Sequence, residues 1–286
     1  MSEPHISESA VAALGTPSFV ETISFETILA ETKADLVSRW PDFNVQALES
    51  DPAVKLLEVS AYREMRYRQR VNDAARSLLV AYGAGTDLDH IGAFYDAVRL
   101  VDESDERFRS RIILAIQGRS PGGTVARYKY IALSASVQVR SVAIWREDTD
   151  PTVRVSVLST ADGGVPSQSL LNEVIAAMTH EEVRLVSDTI VVSSAIQQIV
   201  NIAADVWLLP DTSQSVFDAL EQNLRDAWDQ EAGLGFNLTK AWIASRLMRG
   251  GVQNIVVTTP SSDTVVPFNK AVSLGTITLT LKGRDF

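Results

Sequence analysis

The residues best placed to do chemistry are Asp87, Asp89 and His90, in the run Thr86-Asp87-Leu88-Asp89-His90. Two carboxylates beside an imidazole can move protons or hold a divalent cation, so a hydrolase built on this chain would rest on these three side chains. The spacing has a structural use as well. Thr86 followed three residues later by Asp89 is the arrangement of a capping box, which satisfies orphan N–H groups at a helix start. The remaining histidines, His5 and His180, stand far off in sequence, and none of the three falls in an HExxH pattern. His180 sits at the end of an expected helix, where a dipole role suffices. With no cysteine in the chain, disulfides, thiolate catalysis and cysteine-ligated zinc are excluded. Catalytic, cofactor-binding and metal residues are accordingly expected to be none.

Other short motifs lead the same way. Gly83-Ala84-Gly85-Thr86 lacks the GxxxxGK[ST] pattern, follows a helix rather than a strand, and has no lysine nearby, so it reads as a helix C-cap and not as a phosphate loop. Ser120-Pro121-Gly122-Gly123-Thr124 reads as a linker turn, and there is no GxSxG elbow. The acidic pairs Asp102-Glu103 and Glu181-Glu182 are adjacent on expected surface turns, which gives no support for paired-carboxylate catalysis. Trp145, Trp207, Trp228 and Trp242 fit core positions of strands or helices, and Trp40 a helix end.

The elements that carry these residues begin with helices. Ser24 caps a helix over 25–39, and a short loop follows over 42–50. Asp51 and Pro52 then start a helix expected to run to Tyr82, roughly 45 Å at 1.5 Å per residue. Its early stripe is Val54, Leu57, Ala61 and Met65; a broader one follows at Val71, Ala74, Ala75, Leu78, Leu79 and Tyr82. Between them Tyr62, Arg63, Arg66, Tyr67 and Arg70 crowd the surface, with Glu64–Arg68 and Arg70–Asp73 expected as ion pairs. This face suits either solvent or the flank of a seam with another helix. Further helices are expected over 87–95 and 106–117.

After the Pro-Gly-Gly break the pattern alternates. A helix over 125–134, strands over 137–145 and 153–158, a helix over 168–180 and strands within 183–192 make one α+β unit. A strand over 199–208, helices over 215–230 and 239–248, and strands over 252–258 and 276–281 make another. Residues 125–144 and 240–257 share a weak echo, helix then Val-Gln opening an apolar strand. The expected fold is therefore α+β, a mainly helical N-terminal region (1–119) followed by two small α+β subdomains (124–195 and 196–286). A doubly wound parallel sheet is disfavoured.

Composition fits a globular protein, at 45% hydrophobic and 22% charged residues. The polar, acidic start MSEPHISESA does not read as a signal peptide, and no apolar run approaches a membrane span, so neither export nor a membrane partner is expected. The net charge of −10 opposes nucleic-acid binding, the face from Arg63 to Arg76 being the one basic candidate.

The run Asp51-Pro52, Leu56-Leu57-Glu58, Ala61-Tyr62-Arg63-Glu64, Arg68 through Arg76, and Ala81-Tyr82-Gly83-Ala84-Gly85-Thr86-Asp87-Leu88-Asp89 resembles the baseplate J-like family of contractile phage tails. Gly123-Thr124, Tyr128-Lys129-Tyr130 and Ala132-Leu133-Ser134-Ala135 resemble its central segment. Val252-Gln253-Asn254-Ile255 and Gly275-Thr276-Ile277-Thr278-Leu279 are similar to its ending. One departure is Ser136-Val137, where the family often has Asp-Pro. The resemblance implies a structural, non-enzymatic protein of the baseplate wedge in a virion tail, assembled in the host cytoplasm. Such a protein joins wedges into a ring around the central hub and rearranges on contraction. It implies as partners a tail protein I-like wedge protein, a small gp25-like wedge protein, the hub and further copies of itself. The expected interface residues are Val54, Leu57, Ala61, Tyr62, Met65, Arg66 and Arg70.

Overall fold

The computed structural model describes residues 14–15, 17–42, 51–119, 122–148, 150–185 and 188–285. The polar start with His5, nearly all of the loop expected over 42–50, and Ser120-Pro121 lie outside the described residues. The chain forms two compact units, residues 1–99 with 104–113, and residues 100–103 with 114–286.

The first unit is helical throughout its described elements. Helix α1 (Phe25–Arg39) starts where Ser24 Oγ accepts the Thr27 N–H at 3.3 Å. Helix α2 (Pro52–Ser77) starts where the Asp51 carboxylate accepts the Ala53 N–H at 2.8 Å, with Pro52 supplying a preset φ. The two helices pack on one another. Val54, Ala61 and Asn72 lie buried on one side of α2, and Asn72 clamps the Glu21 backbone, donating to its carbonyl at 2.9 Å and accepting its N–H at 3.1 Å.

Helix α2 is shorter than its sequence pattern suggests, 26 residues or about 39 Å. The expected continuation to Tyr82 turns sharply instead. Leu79 O accepts from Tyr82 N and Gly83 N, and Arg109 donates to Val80 O at 2.8 Å and to Gly83 O at 2.7 Å. A distant guanidinium thus supplies the donors that a longer helix would have supplied to itself.

Helix α3 (Gly85–Phe94) begins ahead of the expected start at Asp87, and the Thr86–Asp89 capping box does not form. Its first N–H, that of Gly85, is held by Asp105 Oδ2 at 3.0 Å. The helix closes with Asp96 at φ 58° and a bond from Ala97 N to Gly92 O. Helix α4 (Asp105–Gln117) follows Ser104, whose Oγ accepts the Arg107 N–H, and the boundary between the two units falls within it. Leu88, Phe108 and Ile112 are buried, with the Arg99 and Arg111 guanidinium groups 4.7 and 5.7 Å from the Phe108 ring centre.

The second unit holds two three-stranded sheets. Helix α5 (Val125–Ala135), capped by Thr124, leads into β1 (Val139–Trp145); β2 (Thr152–Ser159) pairs antiparallel with β1, and α6 (Gln168–Thr179) crosses to β3 (Thr189–Ser194), parallel to β2. Residues 183–185 lie in a turn, not in the strand expected there. Tyr128, Val142, Val155, Val157, Val174 and Met178 form the core beneath α5 and α6.

In the second sheet β4 (Ile196–Leu208) is central, antiparallel to β5 (Val252–Thr259) and parallel to β6 (Lys270–Arg284). Helices α7 (Gln214–Asp218), α8 (Leu220–Glu231) and α9 (Lys240–Leu247) accompany it. The helix expected over 215–230 is broken at Ala219, where a new amphipathic helix begins with Leu220 and Leu224 facing the core. The final strand is much longer than 276–281, because residues 270–274 pair with β4 on the far side of a register shift. Both sheets put one antiparallel and one parallel neighbour on a central strand, and in both a helix feeds the antiparallel one. The echo between 125–144 and 240–257 is that feature.

Candidate functional site

The acid and histidine cluster is not assembled as a reaction centre. Asp87 and His90 project on the exposed side of α3, whereas Asp89 points elsewhere on the helix and is held by Arg99 at 2.6 Å. Arg99 also meets Asp105 at 2.7 Å, so Asp89 belongs to a bridge between α3 and α4. The Asp105 carboxyl is held below its ordinary range by the Gly85 N–H and then by Arg99. Among the described residues no group of acidic or histidine side chains could hold a metal ion. His180 is the C-cap of α6, its Nδ1 accepting the Glu182 N–H at 3.4 Å.

A cleft of about 330 Å³ lies between the two sheets of the second unit, lined by Arg140, Leu158, Gly164, Gln197, Arg225 and Trp228 among others. Its cations are already engaged. Arg140 binds Trp228 O at 2.6 Å and Asp229 at 3.2 Å; Arg225 binds Glu221 at 2.9 Å and Gly275 O at 3.1 Å. What these groups do is join β1 to α8 and α8 to β6.

The long helix α2 offers the more informative surface, and the predicted interface residues divide across it. Val54 and Ala61 are buried within the chain, Leu57 and Met65 are half-buried, and Tyr62, Arg66 and Arg70 are exposed. Helical geometry explains the split: positions 54, 61, 65, 68 and 72 share the face that α1 covers, as the Asn72 clamp on Glu21 and the Arg68 bridges to Glu21 and Glu31 show. Arg68 also binds Glu64 at 2.6 Å, as its spacing foretold. Arg70 does not pair with Asp73, whose carboxylate accepts from Gln69 at 2.7 Å.

On the outward half of the helix Leu56 and Tyr67 are each 71% exposed, with Val71, 65% exposed, on one flank and Val59 and Tyr62 on the other. Arg66 lies 6.0 Å from the Tyr62 ring centre and donates to its hydroxyl at 3.4 Å, a contact that raises the guanidinium pKa. Leu56 and Val59 were missed in the sequence because each stands outside the regular early stripe, while Val71, expected in the later apolar stripe, is exposed instead. The tyrosine-arginine run over 62–70 marked the face but gave no signal for Leu56 or Val59.

The family described as "Baseplate J-like N-terminal domain" matches residues 49–105, which span α2, α3 and the turn before α4. Along nearly its full length the chain is similar to "Baseplate protein J" of Escherichia phage P2. The two are 38% identical over 283 residues, covering 90% of this chain and 92% of that one.

Proposed function

This chain belongs to the baseplate J-like family, and from that premise we propose that it is a structural protein of the baseplate wedge in a contractile tail. In this reading it joins wedges into a ring around the central hub and rearranges when the tail contracts. Its partners are a tail protein I-like wedge protein, a small wedge protein, the hub and further copies of itself. The observation that carries the reading is similarity to a baseplate protein over 90% of the chain.

The surface chemistry supports the same reading. A helix that buries one side on its own neighbour and leaves tyrosine, arginine, leucine and valine on the other has the composition of an interface, where large amphipathic side chains are enriched. The seam is therefore assigned to the outer face, with Tyr62, Arg66 and Arg70 in it, while Val54 and Ala61 hold α1 in place. The helical region and the two α+β subdomains serve in this account as separate contact modules. Interfaces rich in charge and tyrosine can break and re-form without disturbing the cores beneath them, as a contraction-linked rearrangement requires.

Co-expression with the tail protein I-like partner tests the assignment. Tyr67→Asp with Arg66→Glu should abolish co-purification while leaving the helix content unchanged. Unchanged co-purification would remove this face from the interface.

A further inference from the structure

A single residue separates the two sheets of the second unit. β3 ends at Ser194, β4 begins at Ile196, and Ala195 between them still donates its N–H to Val157 O in the first sheet at 2.9 Å. One extended stretch of chain therefore leaves the first sheet and enters the second without a loop. Apolar contact at the crossing is slight. Leu158, Ala195 and Ala271 are its buried residues, with Leu234 packed against them, whereas each sheet has a far larger core of its own.

The other contacts across the junction are mostly polar. From β1, Arg140 donates to Trp228 O at 2.6 Å and meets Asp229 at 3.2 Å, both near the end of α8. The Leu234 N–H donates to Ser141 Oγ at 3.4 Å, and Ser156 Oγ donates to Asn269 O at 3.2 Å. Trp145 touches the exposed ring of Phe268 edge to face, their centres 6.0 Å apart. Within these straps lies the 330 Å³ cleft, where Gln197 Nε2 is buried with no hydrogen-bond partner among the described residues. A buried donor left unpaired costs free energy that is recovered when water reaches it.

We propose that the two sheets are separate bodies hinged at Ala195, and that Arg140 is the latch that holds the cleft between them closed. A small polar junction between two complete cores is the condition under which one body turns on another, with a residue at the end of an element absorbing the turn. The turning point coincides with the limit expected between residues 195 and 196. Arg140 suits the part because its two contacts span the junction and one of them, Asp229, lies 71% exposed, so water can replace it on release. Opening also lets water reach Gln197. The hinge rests on contacts within this chain and not on the wedge reading, so either can fail without the other.

The cysteine-free chain takes paired spin labels without background, and the test uses the full-length protein. Labels at Glu173→Cys on α6 and Gln222→Cys on α8, both exposed, report the distance between the two bodies. Labels at Gln222→Cys and Val256→Cys, which is on β5, report a distance within the second body. Dipolar distance measurements should give one main distance for each pair in the otherwise unaltered protein. Arg140→Gln should raise the ratio of a longer to the main distance by about tenfold in the first pair, since it removes a charged donor from both contacts. The second pair should not change, which also shows that the variant is folded. An unchanged distribution in the first pair would overturn the proposal, and so would equal broadening of both pairs, which would mean that the whole unit loosens instead of turning at Ala195.

Discussion

Asp105 and Gly85 are 20 residues apart, yet the Asp105 carboxylate holds the Gly85 N–H at 3.0 Å and so begins α3 from the first turn of α4. The same carboxylate meets Arg99 at 2.7 Å, so one side chain joins a helix start, a helix and the segment after it. No local capping signal provides this, although Thr86 and Asp89 carry the spacing for one.

Asp105→Asn should lower stability at neutral pH, since it removes a charged acceptor from a helix N-terminus and a partner from Arg99. The folded carboxyl titrates below its ordinary value of 3.8, so its contribution is complete above that value and is lost as pH falls through the lowered one. Thermal melts of the two proteins should differ most above about pH 5 and converge toward pH 2. A constant difference across that range would show that the carboxylate charge is not involved.

Gly92→Ala should be costly for a steric reason. A Cβ there would clash with Phe108 Cζ and stand 2.8 Å from Ala97 O, and Phe108 is fully buried with two guanidinium groups near its ring. Overpacking of this kind costs about 1–3 kcal/mol, which denaturant titration would show as a lower midpoint with an unchanged slope. Wild-type stability in the variant would mean that the helix α3 backbone can move away from Phe108.

Tyr128 should ionise later than an ordinary tyrosine. Burial, then its bond to Asp188 at 2.6 Å, pushes its pKa up to about 12. Its stabilising effect is complete below pH 10 and lost as pH rises through about 12. Absorbance titration of the phenolates should therefore show a late step that coincides with unfolding and is missing in Tyr128→Phe. An unaltered late step in that variant would assign it to another tyrosine.

Arg109→Lys should fray the turn after α2, because a single ammonium cannot replace the two-pronged contact with Val80 O and Gly83 O. Faster amide exchange over 78–83, with little change in α1, is the expected result. Unaltered exchange there would show that the turn holds itself closed.

Much of the fold was legible in the sequence wherever local chemistry decides. Ser24 and Asp51 cap the helices that follow them, as their types and positions indicated, and the apolar runs over 153–158 and 199–208 fall within β2 and β4. What was not legible depends on partners distant in sequence. Arg109 ends the α2 turn region, Asp105 replaces the local cap of α3, and residues 270–274 become strand because β4 lies beside them. The candidate site follows the same division: the long helix and its Tyr-Arg composition could be read, but which side faces α1 could not. Val54 and Ala61 look alike in the sequence whether they meet a partner or a neighbouring helix of the same chain. The Asn72 clamp on Glu21 fixes the answer, and it joins residues 51 positions apart.

The central claim is that this chain is a wedge component whose α2 outer face contacts another wedge protein. Cryo-electron microscopy of intact tail particles assembled from the proteins encoded with this chain tests it most directly. The account predicts copies arranged around the hub, with Tyr62, Arg66 and Tyr67 covered by a neighbouring helix. Particles that lack the chain, or contain it with that face open to solvent, would contradict the account.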